Sequence, residues 1–141
     1  MNKVQHCRIN LQNHTFKKYK NSRILNTLDT DKLLEIYDRY CEYHNFISPF
    51  PFYKEQFAHI YNNIIGYTHN NKLVAWSMIY LVNNEIVDSQ QFAWNYKNPE
   101  LKLGYKSIEN EAAIYKEKGF KYMILGEADN YKKSVKGFEL I

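Results

Sequence analysis

The amino-acid sequence predicts an α+β domain in which two N-terminal helices precede an antiparallel meander and a closing β-α-β unit. Three observations predict this class. Apolar and aromatic residues recur at helical spacing between residues 29 and 64, two Asn-Asn pairs flank one apolar strand, and an amphipathic stretch after residue 104 separates two strand-like segments. A length of 141 residues is that of one domain, so we expect residues 1–141 to form a single unit.

The first third of the chain predicts two helices behind an irregular start. Residues 1–28 show no sustained period, so we expect them to be extended or only partly ordered. Asp29-Thr30-Asp31 is a capping cluster that begins the first helix, and Ser48-Pro49-Phe50-Pro51 ends it because proline cannot continue a helix. A second amphipathic helix follows, and its apolar face consists of Tyr53, Phe57, Ile60, Tyr61 and Ile64.

The middle of the chain predicts three antiparallel strands, over residues 64–69, 73–82 and 85–96. Asn70-Asn71 and Asn83-Asn84 separate these strands, and asparagine tolerates the left-handed backbone that tight hairpin turns need. Few polar residues interrupt the second strand. It is therefore expected at the centre of the sheet, covered on both faces.

The last third predicts a parallel crossover. A helix begins just after Gly104 and ends at Lys118-Gly119, which serves as its C-cap. The buried face of this helix consists of Ile108, Ala112 and Tyr115. A strand over residues 120–125 ends at Gly126, and residues 135–141 add a short last strand. Strand, helix and strand in this order form a right-handed crossover, which makes the two flanking strands parallel.

Composition and charge exclude several classes of protein. Lys plus Arg number 19 and Asp plus Glu number 15, and the resulting net charge of +4 is too low for a dedicated DNA-binding protein but suits a partner that bears phosphate. No apolar run approaches the roughly 20 residues that a bilayer span needs, and none follows Lys3 to form a secretory signal. With only Cys7 and Cys41, the chain fits a reducing compartment, so we expect a soluble cytoplasmic protein with no membrane partner.

A loop with four polar side chains is the candidate catalytic segment. Ligands bind beyond the carboxyl ends of parallel strands in an open sheet, and residues 126–132 follow such a strand. We predict that Glu127 or Asp129 accepts the proton of an attacking amine. Tyr131 then donates a proton or anchors the substrate, and Lys132 is the charge partner. The alternative is a solvated loop that holds a surface ion pair.

Short motifs in a fixed order resemble a known family. These motifs are Ile36-Tyr37-Asp38-Arg39-Tyr40 with His44, Leu103-Gly104 with Ser107 and Glu111, Leu125-Gly126, and Tyr131-Lys132 with Glu139-Leu140. The order of elements resembles the GNAT (acyl-CoA N-acyltransferase) fold, in which neighbouring strands splay to admit an acyl donor. Within that group, residues 30–141 resemble the C-terminal catalytic half of arginyl-tRNA–protein transferases. Val135 and Gly137 depart from the pattern, since the family usually has an aromatic residue and a proline there.

The resemblance implies an activated donor, either an aminoacyl-tRNA or an acyl-CoA, and no tightly bound cofactor. The residues predicted to contact the donor are Gln90, Trp94, Tyr96, Lys102, Gly104, Lys106 and Ser107. Strand alternation puts Gln90 and Trp94 on one face, as a wall of the acyl pocket. The turn over residues 98–105 holds one glycine and a glutamate, a poor cradle for pyrophosphate, which favours an aminoacyl-tRNA-type donor or a lost donor site. A basic cluster of this kind is usually a solvated segment, but if the donor is a tRNA, the residues expected to contact its phosphates are Lys17, Lys18, Lys20 and Arg23.

The sequence therefore predicts an acyl- or aminoacyltransferase that moves an acyl group from its donor to an amine of a protein or a small molecule. The alternative is a catalytically degenerate GNAT-like module that binds a protein or an RNA, which the missing glycine cradle and the short segment 126–131 favour. No metal site is predicted. Cys41 and His44 share a helix face, but no second pair of ligands accompanies them, so we interpret them as a core cysteine beside a helix-end histidine.

Overall fold

The computed structural model describes residues 4–46 and 57–141, which form a seven-stranded mixed sheet with a helix on each face. The strands are β1 (His6–Asn10), β2 (Ser22–Ile24), β3 (Asn62–His69), β4 (Lys72–Leu81), β5 (Ile86–Trp94), β6 (Tyr122–Glu127) and β7 (Phe138–Leu140). The helices that lie wholly within the described residues are α1 (Thr30–His44) and α2 (Leu103–Glu117), and two short 3₁₀ helices span Pro99–Leu101 and Asn130–Ser134. The strand order is β2-β3-β4-β5-β6-β1-β7.

The predicted meander is confirmed, because β3, β4 and β5 pair antiparallel in sequence order. Asn70 and Asn71 have φ angles of 51° and 64°, which is the left-handed backbone that the first turn requires. The second turn uses a different device. The side-chain oxygen of Asn83 accepts hydrogen bonds from the backbone N–H groups of Glu85 and Ile86, at 2.8 and 2.9 Å, so the asparagine acts there through its amide.

Strand β4 is covered on both faces, as its apolar sequence predicts. Trp76 and Met78 face α1, where they pack with Leu33 and Ile36 in one core. The alternate residues Ala75 and Ile79 face α2, in a second and larger core that contains Ala112 and Tyr115. The indole Nε1 of Trp76 donates a hydrogen bond to the backbone oxygen of Leu33 at 2.8 Å. These contacts fix both helices relative to the centre of the sheet.

The predicted parallel crossover is also confirmed. Strands β5 and β6 pair in parallel, but only between Ile86–Asp88 and Tyr122–Ile124. Strand β5 continues to Trp94 without a β6 partner, so a gap opens between the carboxyl ends of the two strands. Gly119 closes α2 with a φ of +95°, as its predicted place in the C-cap requires.

The N-terminal segment is more ordered than predicted. Strand β1 lies between β6 and β7 and pairs antiparallel with both, while β2 pairs with β3 at the other edge of the sheet. Cys7, Ile9 and Leu11 are fully buried in the core under α2. Their alternation is the period-2 pattern of a strand, although it covers too few residues to stand out in a polar context.

The predicted second helix is wrong at its C-terminal end. Tyr53 lies outside the described residues, as does the proline-rich break at 48–51. Phe57 is buried, but Ile60 and Tyr61 are 81% and 51% exposed, and β3 has begun by Asn62, so Ile64 belongs to a strand.

Helix boundaries elsewhere shift by a few residues. Helix α1 ends at His44 and is capped by Asn45, which has a φ of 57° and donates its N–H to the backbone oxygens of Cys41 and Glu42. Helix α2 begins at Leu103, one residue before Gly104, whereas the predicted start lay just after that glycine. Strand β6 continues past its predicted end at Gly126 to Glu127. Among the described residues, no helix combines the length and the apolar character that crossing a bilayer demands.

Candidate functional site

A cleft of about 180 Å³ opens where β5 and β6 stop pairing. Its walls come from β5, from the first turns of α2, from the segment after β6, and from one residue of α1. The lining residues are Tyr40, Ser89, Gln90, Gln91, Phe92, Gly104, Ser107, Ile108, Glu111, Leu125, Asp129, Tyr131 and Lys132. The cleft therefore lies where ligands bind in open sheets, beyond the carboxyl ends of parallel strands.

An irregularity in β5 shapes one wall of this cleft. Met78 of β4 pairs with Gln91 and the next residue, Ile79, pairs with Ser89, so Gln90 is an extra residue without a partner on β4. Such a bulge re-aims side chains next to functional sites. The bulge also shows that the prediction of Gln90 and Trp94 on one face of the strand is wrong. Gln90 is exposed at the cleft, whereas Trp94 is 5% exposed and packs in the core.

Glu111 is the most buried ionisable group of the cleft, at 1% exposure. Its Oε2 accepts hydrogen bonds from the Tyr67 hydroxyl and, at 2.7 Å, from the Ser77 hydroxyl. Asn110 donates to the Tyr67 oxygen at 3.0 Å and completes the network. Within the described chain no hydrogen bond reaches Oε1 of Glu111, which leaves this oxygen for a group in the cleft.

Burial raises the pKa of Glu111 from 4.5 to about 7, and the hydrogen bonds from Tyr67 and Ser77 only partly offset this effect. No cation contributes to the shift. A carboxyl group with a pKa near neutrality changes between its acid and base forms at working pH, which is the property of a proton-transfer group.

The same pKa predicts a stability that depends on pH. Between about pH 4.5 and pH 7 the folded protein keeps the Glu111 proton that the unfolded chain has released, so the free energy of unfolding falls as pH rises, by about 3 kcal/mol for this group. Above pH 7 the contribution is constant. Chemical denaturation of the wild type and of Glu111→Gln across this range measures the free energy of unfolding of each at every pH. Parallel curves of this free energy against pH would contradict a buried Glu111 carboxyl that keeps its proton.

The segment after β6 is fixed by a buried lysine. The ammonium of Lys132 donates to the backbone oxygens of Leu125 and Glu127, at 3.0 and 2.8 Å, and forms an ion pair with Asp129 at 3.1 Å. The Lys132 side chain is 11% exposed and that of Asp129 is 48% exposed, so a buried ammonium pairs with a carboxylate that stays open to solvent. Lys132 therefore holds the backbone of this segment in place and keeps the Asp129 carboxylate beside the cleft.

Tyr131 stands at the mouth of the cleft, 48% exposed. Burial of its hydroxyl raises its pKa to about 12, and the negative charge of Asp129 adds to the effect. The phenol therefore stays protonated at neutral pH and can donate a hydrogen bond or a proton. The Lys132 ammonium lies 5.8 Å from the centre of the Tyr131 ring.

The structure brings three of the four predicted catalytic residues together. Asp129, Tyr131 and Lys132 line the cleft, but Glu127 lies in a separate recess with Val4 and Ala128. The reason is that Glu127 is still part of β6 and pairs with His6 of β1, so strand pairing fixes its side chain away from the cleft.

The predicted donor-binding residues divide into three groups. Gln90, Gly104 and Ser107 line the cleft. Trp94 is in the core, and Tyr96 stacks on Tyr43 with ring centres 3.7 Å apart while its hydroxyl lies 2.6 Å from Nε2 of His44. Lys102 and Lys106 are exposed outside the cleft, and Lys106 lines a recess against another side of α2. Within residues 4–46 and 57–141, no group of three or more His, Cys, Asp or Glu is placed to hold a metal ion.

Among the cleft residues that were not predicted as site residues are two ionisable ones, Glu111 and Tyr40. Glu111 has a signal in the sequence, because it falls on the helix face defined by Ile108, Ala112 and Tyr115. A carboxylate is almost never buried on such a face unless it has a partner. Tyr40 belongs to the motif of residues 36–40 that carries the family resemblance, but no local pattern places it at the cleft, which it reaches through the packing of α1 against the sheet.

Comparison with solved structures shows that the chain has a GNAT fold. The C-terminal DUF2156 domain of a protein assigned as a lysylphosphatidylglycerol synthetase, from Agrobacterium fabrum, matches with a TM-score of 0.67 and 13% identity, over 89% of this chain and 47% of that chain. A GCN5-related N-acetyltransferase from Kribbella flavida matches with a TM-score of 0.63 and 9% identity, over 99% and 55%. Saccharomyces cerevisiae N-myristoyltransferase with bound myristoyl-CoA matches with a TM-score of 0.63 and 13% identity, over 98% and 50%.

The chain thus spans about half the length of each of these three proteins. Neither a family model nor a curated protein matches the sequence. At 9–13% identity the similarity establishes the fold alone. The narrower resemblance to arginyl-tRNA–protein transferases stays a prediction.

Proposed function

We propose that this protein is an acyltransferase that moves an acyl group from an activated donor to an amine. The observation that carries the proposal is the cleft between β5 and β6, with a buried carboxyl whose pKa is near 7 at its base and a protonated tyrosine at its mouth. These are the two groups that acyl transfer to an amine requires, a proton acceptor and a proton donor.

The reaction is assigned to the residues as follows. The amine nitrogen attacks the acyl carbon, a C–N bond forms, and the bond from the acyl carbon to the sulfur or oxygen of the donor breaks. Glu111 in its ionised form accepts the proton that the amine loses, and Tyr131 supplies the proton that the leaving group takes up. Asp129, held by Lys132, attracts the acceptor as an ammonium ion, which releases one proton to the solvent before the free amine attacks.

The exposed edge of β5 supports an extended donor. Beyond Asp88 this strand has no partner on its β6 side, so its backbone edge faces the cleft. A donor arm that carries amide groups binds such an edge in the manner of an added strand, through main-chain hydrogen bonds. Both an acyl-CoA and an aminoacyl-tRNA remain candidates for the donor.

The size of the cleft favours the second candidate function, a binding module that has lost catalysis. A cavity of about 180 Å³ is smaller than the roughly 300–1,000 Å³ of ordinary small-molecule sites. A thermal-shift series with acetyl-CoA, CoA and a non-hydrolysable aminoacyl-tRNA analogue separates the two functions, because a ligand of the native state raises the melting temperature. No shift with any donor would leave only the binding module.

Tyr131→Phe tests the proton donor. We expect the variant to lower kcat for transfer to a primary amine at least ~10-fold with little change in KM, since the lost hydroxyl acts on the leaving group and not on substrate binding. Tyr122→Phe, which changes a tyrosine that does not line the cleft, is the matched control. Equal rates for Tyr131→Phe and the wild type would remove Tyr131 from the mechanism.

A further inference from the structure

Four polar side chains form a hydrogen-bond network behind the cleft. Tyr67 comes from β3, Ser77 from β4, and Asn110 and Glu111 from α2. The first three are 0% exposed and Glu111 is 1% exposed, so bulk water does not replace the hydrogen bonds among them. We call these four residues the buried network. The direction of each of its hydrogen bonds follows from the partners that surround it.

The backbone N–H of Tyr19 fixes the direction of the first hydrogen bonds in the buried network. It donates to the side chain of Asn110 at 2.7 Å, and since an N–H can only donate, the Asn110 atom that faces it is the oxygen Oδ1. The amide nitrogen of Asn110 therefore faces Tyr67, and it donates to the Tyr67 oxygen at 3.0 Å. This contact leaves the Tyr67 hydroxyl to act as a donor.

The Tyr67 hydroxyl donates to Oε2 of Glu111. The backbone oxygen of Ser107 is a second acceptor within its reach, at 3.3 Å, but it is farther away and carries no charge. Burial and the negative charge of Glu111 raise the pKa of Tyr67 well above its usual range, so this hydroxyl keeps its proton at neutral pH. The Ser77 hydroxyl donates to the same Oε2 at 2.7 Å. Oε2 thus accepts two hydrogen bonds.

The two oxygens of the Glu111 carboxyl group therefore differ. A proton on Oε2 would displace the hydrogen bond from Ser77 and would turn the Tyr67 hydroxyl toward the distant Ser107 oxygen. A proton on Oε1 leaves both hydrogen bonds in place, which is the less costly arrangement in a buried site. Within the described chain Oε1 has no hydrogen-bond partner, yet it is not closed off from solvent, so it opens into the cleft.

We propose that Tyr67 and Ser77 are positioning residues that hold the exchangeable proton of Glu111 on Oε1, the oxygen that opens into the cleft. Neither residue lines the cleft, so both act through Glu111. The use of this proton rests on the proposed acyl transfer. In that reaction Oε1 forms the new O–H bond with its lone pair, and the N–H bond of the amine breaks with its electron pair left on nitrogen.

Other ionisable groups surround Glu111 without changing this assignment. On α2, the Tyr115 hydroxyl accepts a hydrogen bond from Asn63 at 3.1 Å, and within the described chain none joins it to Glu111. The ionisable groups that share the cleft with Glu111 are Tyr40, Asp129, Tyr131 and Lys132. Burial raises the pKa of Glu111, and the groups that lower it are Tyr67 and Ser77. Removing either hydroxyl should therefore raise this pKa.

Infrared difference spectra between about pH 5.5 and about pH 8.5 test the proposal without any acyl donor or acceptor. The carbonyl band of protonated Glu111 is the one that Glu111→Gln abolishes. If the proton is on Oε1, then Oε2 is the carbonyl oxygen, and each hydrogen bond that it accepts lowers the wavenumber of the band. We expect Tyr67→Phe and Ser77→Ala each to raise this wavenumber. Two variants are used so that loss of the fold in one leaves the other as the test.

Tyr115→Phe is the matched control, since it removes a buried hydroxyl of the same core that does not bond to Glu111. It should leave the Glu111 band at its wild-type wavenumber. The intensity of the band against pH also measures the pKa of Glu111. We expect Tyr67→Phe to raise this pKa by about one pH unit, because the lost hydrogen bond stabilises the carboxylate, and the inflection of kcat/KM against pH should rise by the same amount.

The outcomes separate this proposal from the proposed function. A Glu111 band that neither Tyr67→Phe nor Ser77→Ala moves would overturn the placement of the proton, because the carbonyl oxygen would then be one that these hydroxyls do not contact. Acyl transfer by the wild type would still support the proposed function in that case. The expected band shifts in a protein that transfers no acyl group would overturn the proposed function and leave the placement of the proton.

Discussion

Glu111→Gln is expected to lower kcat/KM for acyl transfer at least ~100-fold at pH 8, because a general base contributes roughly 10² to 10⁴ to such a reaction. In the wild type, Glu111 loses its proton as the pH rises through about 7, so the rate should rise through the same range and then level off. Glutamine cannot take a proton, and the inflection should disappear. A profile of kcat/KM against pH measures both effects, since it reports the pKa values of the free enzyme.

Loss of the fold and titration of the acceptor amine are two simpler explanations of such a change in the pH profile, and both can be excluded. Glutamine still accepts hydrogen bonds from Tyr67 and Ser77, so the network and the fold are retained. Measuring the profile with two acceptor amines of different pKa shows which group titrates. An inflection caused by Glu111 stays at the same pH with both amines, whereas one caused by the acceptor moves with the pKa of the amine. Glu35→Gln, an exposed change on α1, should leave the profile unaltered. An unchanged inflection in Glu111→Gln would show that another group accepts the proton.

Gly137→Ala is expected to destabilise the fold by about 3 kcal/mol or more, the largest effect of any single-methyl change that we predict. Gly137 has a φ of +79°, and a Cβ placed there would lie 2.3 Å from the backbone oxygen of Asn10. Asn10 is the last residue of β1, and its N–H donates to the oxygen of Gly137 at 2.8 Å. Alanine would therefore be strained and would also force β1 and the turn before β7 apart.

Gly119→Ala provides the matched control for Gly137→Ala. Its φ of +95° is equally unfavourable for a side chain, but nothing lies within 4 Å of the position that a Cβ would occupy. This variant should cost about 1 kcal/mol, from backbone strain alone. Urea denaturation of both variants measures the difference. Equal losses would mean that the close approach of Gly137 to β1 contributes nothing.

The parts of the fold that follow from local sequence were predictable. Asn70 and Asn71 form their turn from their own backbone preferences, and the crossover between β5 and β6 follows from a general rule of chirality. Strand β1 was not predicted, because what stabilises it is pairing with β6 and β7, more than a hundred residues along the chain. No local pattern in residues 6–10 contains that information.

In the candidate site, too, some features follow from general rules applied to the sequence and others depend on the tertiary structure. The position of Asp129 and Tyr131 beside a cleft follows from the rule that ligands bind beyond parallel strands. The exclusion of Glu127 depends on where β6 ends, which is the least reliable part of any prediction from sequence. Gln90 is displaced by a bulge in the pairing of β5 with β4, which a local sequence pattern does not reveal. The carboxylate of Glu111 became a candidate only when its hydrogen-bond partners Tyr67 and Ser77 were known.

The insertion of β1 between β6 and β7 has a consequence for how the chain acquires its structure. During synthesis the segment 6–10 emerges more than a hundred residues before the two strands that flank it, so its hydrogen-bonding edges have no partner until those strands follow. The β3-β4-β5 hairpins close locally and are free to form first. Docking of β1 then involves closing a very long loop, the slow type of step that governs folding rates in sheets with distant pairings. The carboxyl end of β6, and with it the wall of the cleft that carries Asp129 and Tyr131, is completed in this last step.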